Sequence, residues 1–365
     1  MQGIRENTSW EMHILLHRGG PLENQFKSFG PTTILKPSGY SKEKNILKKI
    51  RMRSGMALKK RNLLYSKIQY DFVFNNTIAN GSLLNIFSKK NLPVLTYVHE
   101  LESVINIFSV KGEAQKTFRN TNLFISPSEL VKNNLVKNHK IQPEKIFILP
   151  YYFPGYDTPY EPVDKDLQRS LFLKTYNIPE NKFLVMAMGT ANLRKGIDYF
   201  VEICKLVKAM NTNIHFAWIG SFTERQLEDK LYRKISKYGL EANITIIGDM
   251  PFHKNNLLPA DIFILPSRED PYPLVVLDAA FLKIPTIAFA GSGGAAEFIG
   301  KKNGWLAEDF SLTKFAEKIV QLQQSPEEII AAGINAFECA MNIHGNANNF
   351  IERLENIVSQ IKNNT

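Results

Sequence analysis

The chain repeats one rhythm from end to end: a short apolar run, a turn, then an amphipathic stretch. In the first half the apolar runs are EMHILLH, TTIL, DFVFN, PVLTYV, NLFIS and KIFILP. In the second half they are KFLVMAMG, IHFAWIG, NITIIGD, DIFILPS and PTIAFA. Between them lie helical patterns such as NGSLLNIFSKK, SELVKNNLVKN, GIDYFVEICKLVKAM and PLVVLDAAFLK. Such alternation predicts an α/β chain with parallel sheets and right-handed crossovers.

At 365 residues the chain is long for one domain and ample for two. The Pro- and Tyr-rich stretch PYYFPGYDTPYEP (150–162) separates the two series and reads as the linker. The expected organisation is 1–155, a first Rossmann-like domain; 156–340, a second; and 341–365, a C-terminal helix crossing back to the first. Two doubly wound domains facing each other across a cleft place ligands at the carboxyl ends of their strands.

Charge divides the chain sharply. Residues 1–150 hold 23 Lys+Arg against 10 Asp+Glu, a balance of +13, while 151–365 hold 22 against 25. Nine basic residues and one acid, Glu43, fall within 42–61. Interleaved Ile46, Leu47, Ile50, Met56 and Leu58 make this a basic amphipathic segment suited to an anionic membrane surface, each cation contributing about 1 kcal/mol. A solvated basic helix that binds nothing is the equal alternative. Nucleic acid is disfavoured, since no aromatic interleaving or binding motif accompanies the charge. Two cysteines, Cys204 and Cys339, make no disulfide framework and suit a reducing cytoplasm. The polar N-terminus lacks the apolar core of a signal peptide, and no apolar run reaches the ~18 residues that cross a bilayer. The expectation is a cytoplasmic protein, peripheral on the inner face of the plasma membrane if the basic segment touches lipid.

Chemistry concentrates at the strand ends of the second half. After DIFILPS come Arg268, Glu269 and Asp270, then Pro271 and Pro273 opening a helix that contains Asp278. A carboxylate in so apolar a helix must face solvent, a partner or a ligand. Asp270 and Asp278, eight residues apart, would stand about 12 Å apart along a helix and hold hydroxyls at two places on one extended ligand. The next strand runs into Gly291-Ser292-Gly293-Gly294, a turn that lets backbone N–H groups approach an anion. After Gly189, Arg194 and Lys195 precede a helix, and two cations at such a turn suit a diphosphate. In the first half, PVLTYV leads to His99-Glu100, a histidine placed to orient a substrate hydroxyl or simply to serve the structure.

With these elements in order, the chain resembles the retaining glycosyltransferases of family 4, which share the GT-B fold. The likeness is densest over 182–307, through Gly189 with Arg194-Lys195-Gly196, PSREDPYPLVVLDAA and GSGGAAEF. It extends more loosely over 71–150 through FNNTIANG, YVHE and ISPSELVKNNL, and SREDPYPLVVL looks like the bacterial surface-polysaccharide, rhamnosyl-type branch. The resemblance implies transfer of a hexosyl or deoxyhexosyl unit from a nucleotide-diphosphate sugar to a glycan or lipid-linked acceptor, without a metal or other cofactor. The setting implied is surface polysaccharide synthesis: lipopolysaccharide O-antigen, capsule or exopolysaccharide. It assigns His99 and Asp270 to the reacting sugar. It assigns donor binding to Gly189, Arg194, Lys195, Glu269, Asp270, Asp278, Gly293, Gly294 and Glu297. Asp270 and Asp278 stand where the family has two glutamates, and Thr190 stands where it has an arginine. Against the family pattern the chain opens at what looks like the second strand unit, so the expectation is an N-terminal sheet lacking its central strand; the other reading makes EMHILLH with Gly19-Gly20 the first unit, followed by a very short helix, PLENQFKSF. A non-catalytic subunit that binds sugar nucleotide without turnover is the alternative. A phosphorylase would need a pyridoxal lysine context, and a dehydrogenase a G-x-G-x-x-G after a strand; neither pattern is present.

Overall fold

The computed structural model describes residues 1–38, 46–64, 68–88, 90–154, 164–211, 213–251, 253, 255–300 and 302–363. Most of the expected linker, 155–162, and the start of the basic segment, 42–45, lie outside the described residues. The chain divides into two compact units. Unit 1 comprises Met1–Pro127, Val131–Pro154 and Ala347–Thr365; unit 2 comprises Ser128–Leu130 and Gly155–Asn346.

Each apolar run named above forms a strand. In unit 1 these are β1 (Ile14–Arg18), β2 (Thr32–Lys36), β3 (Val73–Asn75), β4 (Val94–Tyr97), β5 (Leu123–Ser126) and β6 (Ile146–Ile148). In unit 2 they are β7 (Phe183–Met188), β8 (Ile214–Ile219), β9 (Ile244–Gly248), β10 (Ile262–Leu265) and β11 (Thr286–Phe289). A further strand, β12 (Gly304–Ala307), was not expected from the sequence; four residues opening on Gly give almost no periodic signal. All the ladders between these strands are parallel.

Unit 2 carries one six-stranded sheet in the order β12-β11-β10-β7-β8-β9. The chain winds outward from β7 through β8 to β9, then returns to β10 on the other side of β7 and winds the opposite way. β7 and β10 therefore flank the switch point of a doubly wound sheet. Alternate strand residues Val185, Phe216, Trp218, Ile264 and Phe289 pack under helices Ile197–Met210 and Leu312–Gln323. The intervening Leu184, Met186, Ala217 and Phe263 are equally buried, so both faces are covered, as a parallel sheet requires. That is why these strands read as continuous apolar runs rather than alternating ones.

Unit 1 is built differently. Its parallel strands fall in two sheets, β1-β2 and β3-β4-β5-β6, and among the described residues β1 pairs only with β2 and β3 only with β4. The two sheets approach near their strand starts: the Trp10 and Phe72 rings meet edge to face at 5.5 Å, and Tyr70 Oη lies 3.3 Å from His13 Nδ1. β4 and β5 are fully buried, whereas β1 buries only Ile14 and β3 leaves Phe74 36% exposed. The C-terminal helix Ala347–Asn363 lays Leu354, Ile357, Val358 and Ile361 on Leu95, Tyr97, Leu123 and Ile125 of β4 and β5. The spacing of those four helix residues is one face of a 3.6-residue period. Arg353 fixes the helix further by donating to the Ile148 carbonyl at 2.7 Å.

The basic segment forms the helix Ile46–Leu64, which packs against β2 and the helix Gly81–Ser88. Met52 and Met56 are half-buried, Lys59 donates to the Ile34 carbonyl at 2.7 Å, and Ile50 stands 56% exposed among basic neighbours. Its apolar residues thus point in more than one direction. No helix of the described residues is long and apolar enough to cross a membrane.

Candidate functional site

Three strand-end turns of unit 2 are locked together at the switch point. β7 runs into Gly189, at φ +146°, and then into the turn carrying Arg194 and Lys195. Gly196, at φ +78°, starts the helix Ile197–Met210, and a Cβ there would lie 1.9 Å from the Pro266 carbonyl oxygen after β10. Glycine at this position is thus what lets the turn after β7 touch the turn after β10. The contact is then hydrogen-bonded: Arg268 N–H donates to the Arg194 carbonyl, and the Arg194 guanidinium donates to the Glu269 carbonyl, both at 2.8 Å.

The third turn, after β11, joins through backbone alone. Asp270 and Gly293 form a parallel bridge, Asp270 N–H donates to the Ser292 carbonyl at 2.7 Å, and Gly294 N–H donates to the Asp270 carbonyl at 3.1 Å. A Cβ on Gly293 would lie 1.7 Å from the Asp270 carbonyl oxygen, and one on Gly294 2.2 Å from that of Pro271. These two glycines serve close backbone approach. The Gly294 amide is engaged inside the protein rather than left for an anion, and the helix after it, Ala295–Ile299, is only five residues long.

At the centre, the Lys195 ammonium pairs with the Asp270 carboxylate across the switch point. Asp270 is 5% exposed, and the Lys195 backbone N–H is itself held by Asn192 Oδ1 at 2.9 Å. A cation and an anion so placed, at the carboxyl edge of the sheet, can separate to take a polar ligand that presents both charge and hydroxyls. Among the described residues no group of three or more His, Cys, Asp or Glu is placed to hold a metal ion.

One sequence-based expectation is corrected by this geometry. Asp270 and Asp278 do not share a helix. The helix is Leu274–Phe281, with Pro273 as its N-cap, and Asp270 is in extended backbone. The reason is local: Asp270 precedes Pro271, and a residue before proline is pushed out of the helical region. Asp278 is 5% exposed within that helix and is engaged by an interaction of its own. Glu297 accepts from the backbone N–H groups of Glu129 and Leu130 at 3.0 and 2.7 Å, in the short stretch that clusters with unit 2. Glu269 contributes its carbonyl to Arg194. Gly189, Arg194, Lys195, Glu269, Asp270, Gly293 and Gly294 thus meet, while His99 belongs to unit 1.

Sequence reasoning passed over the clamp beside this site. The Arg268 guanidinium forks onto the Asp198 carboxylate with two 2.7 Å bonds and lies 3.6 Å from the Tyr199 ring centroid. The Asp198 carboxylate raises the Arg268 pKa. Tyr272 Oη, two residues past Asp270, lies 2.9 Å from Nε2 of the buried His344. Neither partner is near in sequence, so no local motif signals either pair.

In unit 1, His99 follows β4. Its Nδ1 is 2.7 Å from Tyr151 Oη and its Nε2 is 2.8 Å from Asn76 Oδ1. Burial lowers its pKa to about 4. Glu100, its pKa raised by burial, accepts from Thr77 Oγ1 at 2.6 Å and from the His99 N–H at 2.8 Å.

Residues 168–338 match the family profile described as glycosyl transferases group 1, a span that contains every site residue of unit 2 named above between Gly189 and Glu297. The fold is GT-B. Anabaena Alr3699/HepE, solved in complex with UDP and glucose, superposes with a TM-score of 0.78 over 97% of this chain and 92% of its own, at 16% identity. In sequence, the chain is 27% identical to the poly(ribitol-phosphate) alpha-N-acetylglucosaminyltransferase of Staphylococcus aureus over 45% of this chain and 33% of that protein. It is 22% identical to the capsular polysaccharide biosynthesis glycosyltransferase CapM of Staphylococcus aureus over 54% and 51%. The matched segments span a third to a half of these two relatives' length.

Proposed function

We propose that the chain is a retaining glycosyltransferase that moves a sugar from a nucleotide-diphosphate donor to a glycan or lipid-linked acceptor of a bacterial surface polysaccharide. The observation that carries this reading is the Lys195–Asp270 pair at the switch point of unit 2, inside the segment that matches the family profile. In the reaction the bond between the anomeric carbon and the diphosphate oxygen breaks, the acceptor oxygen bonds to that carbon, and the acceptor's proton leaves with the diphosphate. Lys195 would move from Asp270 to the diphosphate, where charge develops. The N–H groups of Arg194 not bonded to Glu269 would add to it. Asp270, released, would accept from hydroxyls of the donor sugar, and Asp278 from those of the ribose. His99 would hydrogen-bond the sugar or the acceptor hydroxyl. No metal is required in this scheme, because the Lys195 and Arg194 cations supply the stabilisation.

Support for the acceptor class comes from relatives named for wall and capsule polymers and from the basic balance of residues 1–150. The helix Ile46–Leu64 would hold the enzyme to an anionic membrane on its cytoplasmic face. Reversing Arg51 and Arg53 to Glu should then weaken sedimentation with anionic vesicles, and unchanged sedimentation would remove the membrane from the account. The non-catalytic alternative draws on the divided sheet of unit 1. One experiment separates the two: incubation with UDP-, GDP-, dTDP- and ADP-sugars, with and without an isolated surface glycan, reading nucleoside diphosphate release. The enzyme reading expects release from one donor, insensitive to EDTA and lost in Lys195→Ala and Asp270→Asn. Binding without release would favour the alternative, and release that survives Asp270→Asn would overturn the assigned site.

A further inference from the structure

Three strand ends of unit 1 converge on the ring of His99. β4 delivers the histidine itself. The turn after β3 brings Asn76 and Thr77, and the segment after β6 brings Tyr151. The Glu100 carboxylate ties the first two together by accepting from Thr77 Oγ1, from the Ile78 N–H at 3.3 Å and from the His99 N–H. Tyr97, whose hydroxyl donates to the Leu149 carbonyl, packs its ring 4.3 Å from that of His99, and the Tyr151 ring stacks at 5.4 Å and 27°. The imidazole is therefore fixed in plane as well as in position.

The partners also fix where its proton sits. Asn76 Oδ1 is a carbonyl oxygen and can only accept, so Nε2 donates to it. A neutral ring then leaves Nδ1 as an acceptor, and the Tyr151 hydroxyl, at 2.7 Å, donates to it. We infer that Asn76 and Tyr151 are positioning residues that hold His99 as a neutral imidazole carrying its proton on Nε2. Burial of the ring acts in the same direction, since it disfavours the imidazolium. The consequence is specific. Asn76 is exposed, so a substrate oxygen that displaces its amide meets an N–H donor at Nε2, not a base. His99 then orients an oxygen of the sugar or acceptor and does not remove the acceptor's proton. The inference rests on the role proposed for His99 above, and its test keeps the two apart.

The test is the 15N resonances of the His99 imidazole in the full chain, assigned by comparison with His99→Ala, in wild type, Tyr151→Phe and Asn76→Asp. Wild type should show a protonated Nε2 and a bare Nδ1. Asn76→Asp keeps an acceptor at Nε2 and should preserve that pattern. Tyr151→Phe keeps the ring packing but removes the donor to Nδ1, so the other tautomer should become populated, with kcat down about tenfold and the donor KM unchanged. A proton on Nδ1 in wild type, or a pattern unmoved by Tyr151→Phe, overturns the inference. The predicted tautomers together with full turnover by His99→Ala would instead remove His99 from the reaction while leaving Asn76 and Tyr151 as its positioning residues.

Discussion

Unit 2 and unit 1 are both built from parallel strands and amphipathic helices, yet among the described residues only unit 2 joins its strands into one sheet. The strands of unit 2 are four to six residues long and mostly buried on both faces; β1 and β3 of unit 1 are flanked by a single partner each and keep apolar side chains half-exposed. The site residues follow the same division. In unit 2 they are fixed by backbone contacts so close that glycine is demanded at Gly196 and Gly293. In unit 1, His99 is fixed by side chains, through rings and hydrogen bonds. A rigid frame allows a site to be held by the main chain, and a divided one leaves that work to polar and aromatic side chains.

The largest test of this contrast sets one glycine against another. Gly293→Ala puts a methyl group into the Asp270 carbonyl at an unfavourable φ, and should lower stability by on the order of 3 kcal/mol and abolish donor binding. Gly112→Ala in unit 1, also at positive φ but with nothing within 4 Å, should cost only about 1 kcal/mol and spare binding. Chemical denaturation with a binding assay checks both; equal losses would erase the distinction.

Next in size is local opening. Native-state hydrogen exchange should show the amides of β1 and β3 opening with free energies roughly 2 kcal/mol below those of β7 and β10, because each has an open edge and thin cover. Uniform protection across the two units would contradict the account.

The smallest effect is on pH. His215, on β8 and 3% exposed, has its pKa lowered by burial to about 4 from the ordinary 6.5. Between those values the unfolded chain binds a proton that the folded chain does not, so stability falls as pH drops from about 6.5 toward 4. Moving from pH 7 to pH 5 should therefore lower the denaturation midpoint of wild type more than that of His215→Gln. Equal drops would show that burial of this histidine carries no such linkage.

β4, β5, β7, β8, β10 and β11 were legible because burial on both faces leaves unbroken apolar runs, and β12 was not, because GWLA is too short and too mixed to register. The switch-point turns were legible through Gly189, Arg194, Lys195, Asp270 and Gly293, since glycine and charge at strand ends are local signals. What they do there was only partly legible. The Asp270–Pro271 step could have warned that Asp270 leaves the helical path before Asp278. Glu297, Asp198 and His344 find partners far away in sequence, and Tyr151 stood inside a stretch whose prolines read only as a linker. The basic segment read as amphipathic from its composition, but a helix distributes its residues by angle, and Ile50 ends up on a different side from Met52 and Met56.

The central claim is that the nucleoside diphosphate is held by unit 2 residues, the diphosphate by Lys195 and Arg194 and the ribose by Asp278, with Asp270 left for the donor sugar. Calorimetric titration with the nucleoside diphosphate of the donor, on wild type, Lys195→Ala and His99→Ala, tests it most directly. The account predicts a drop in affinity of at least tenfold for Lys195→Ala, about 1.4 kcal/mol, and a change under twofold for His99→Ala. Undiminished binding by Lys195→Ala, or binding lost with His99, would contradict it.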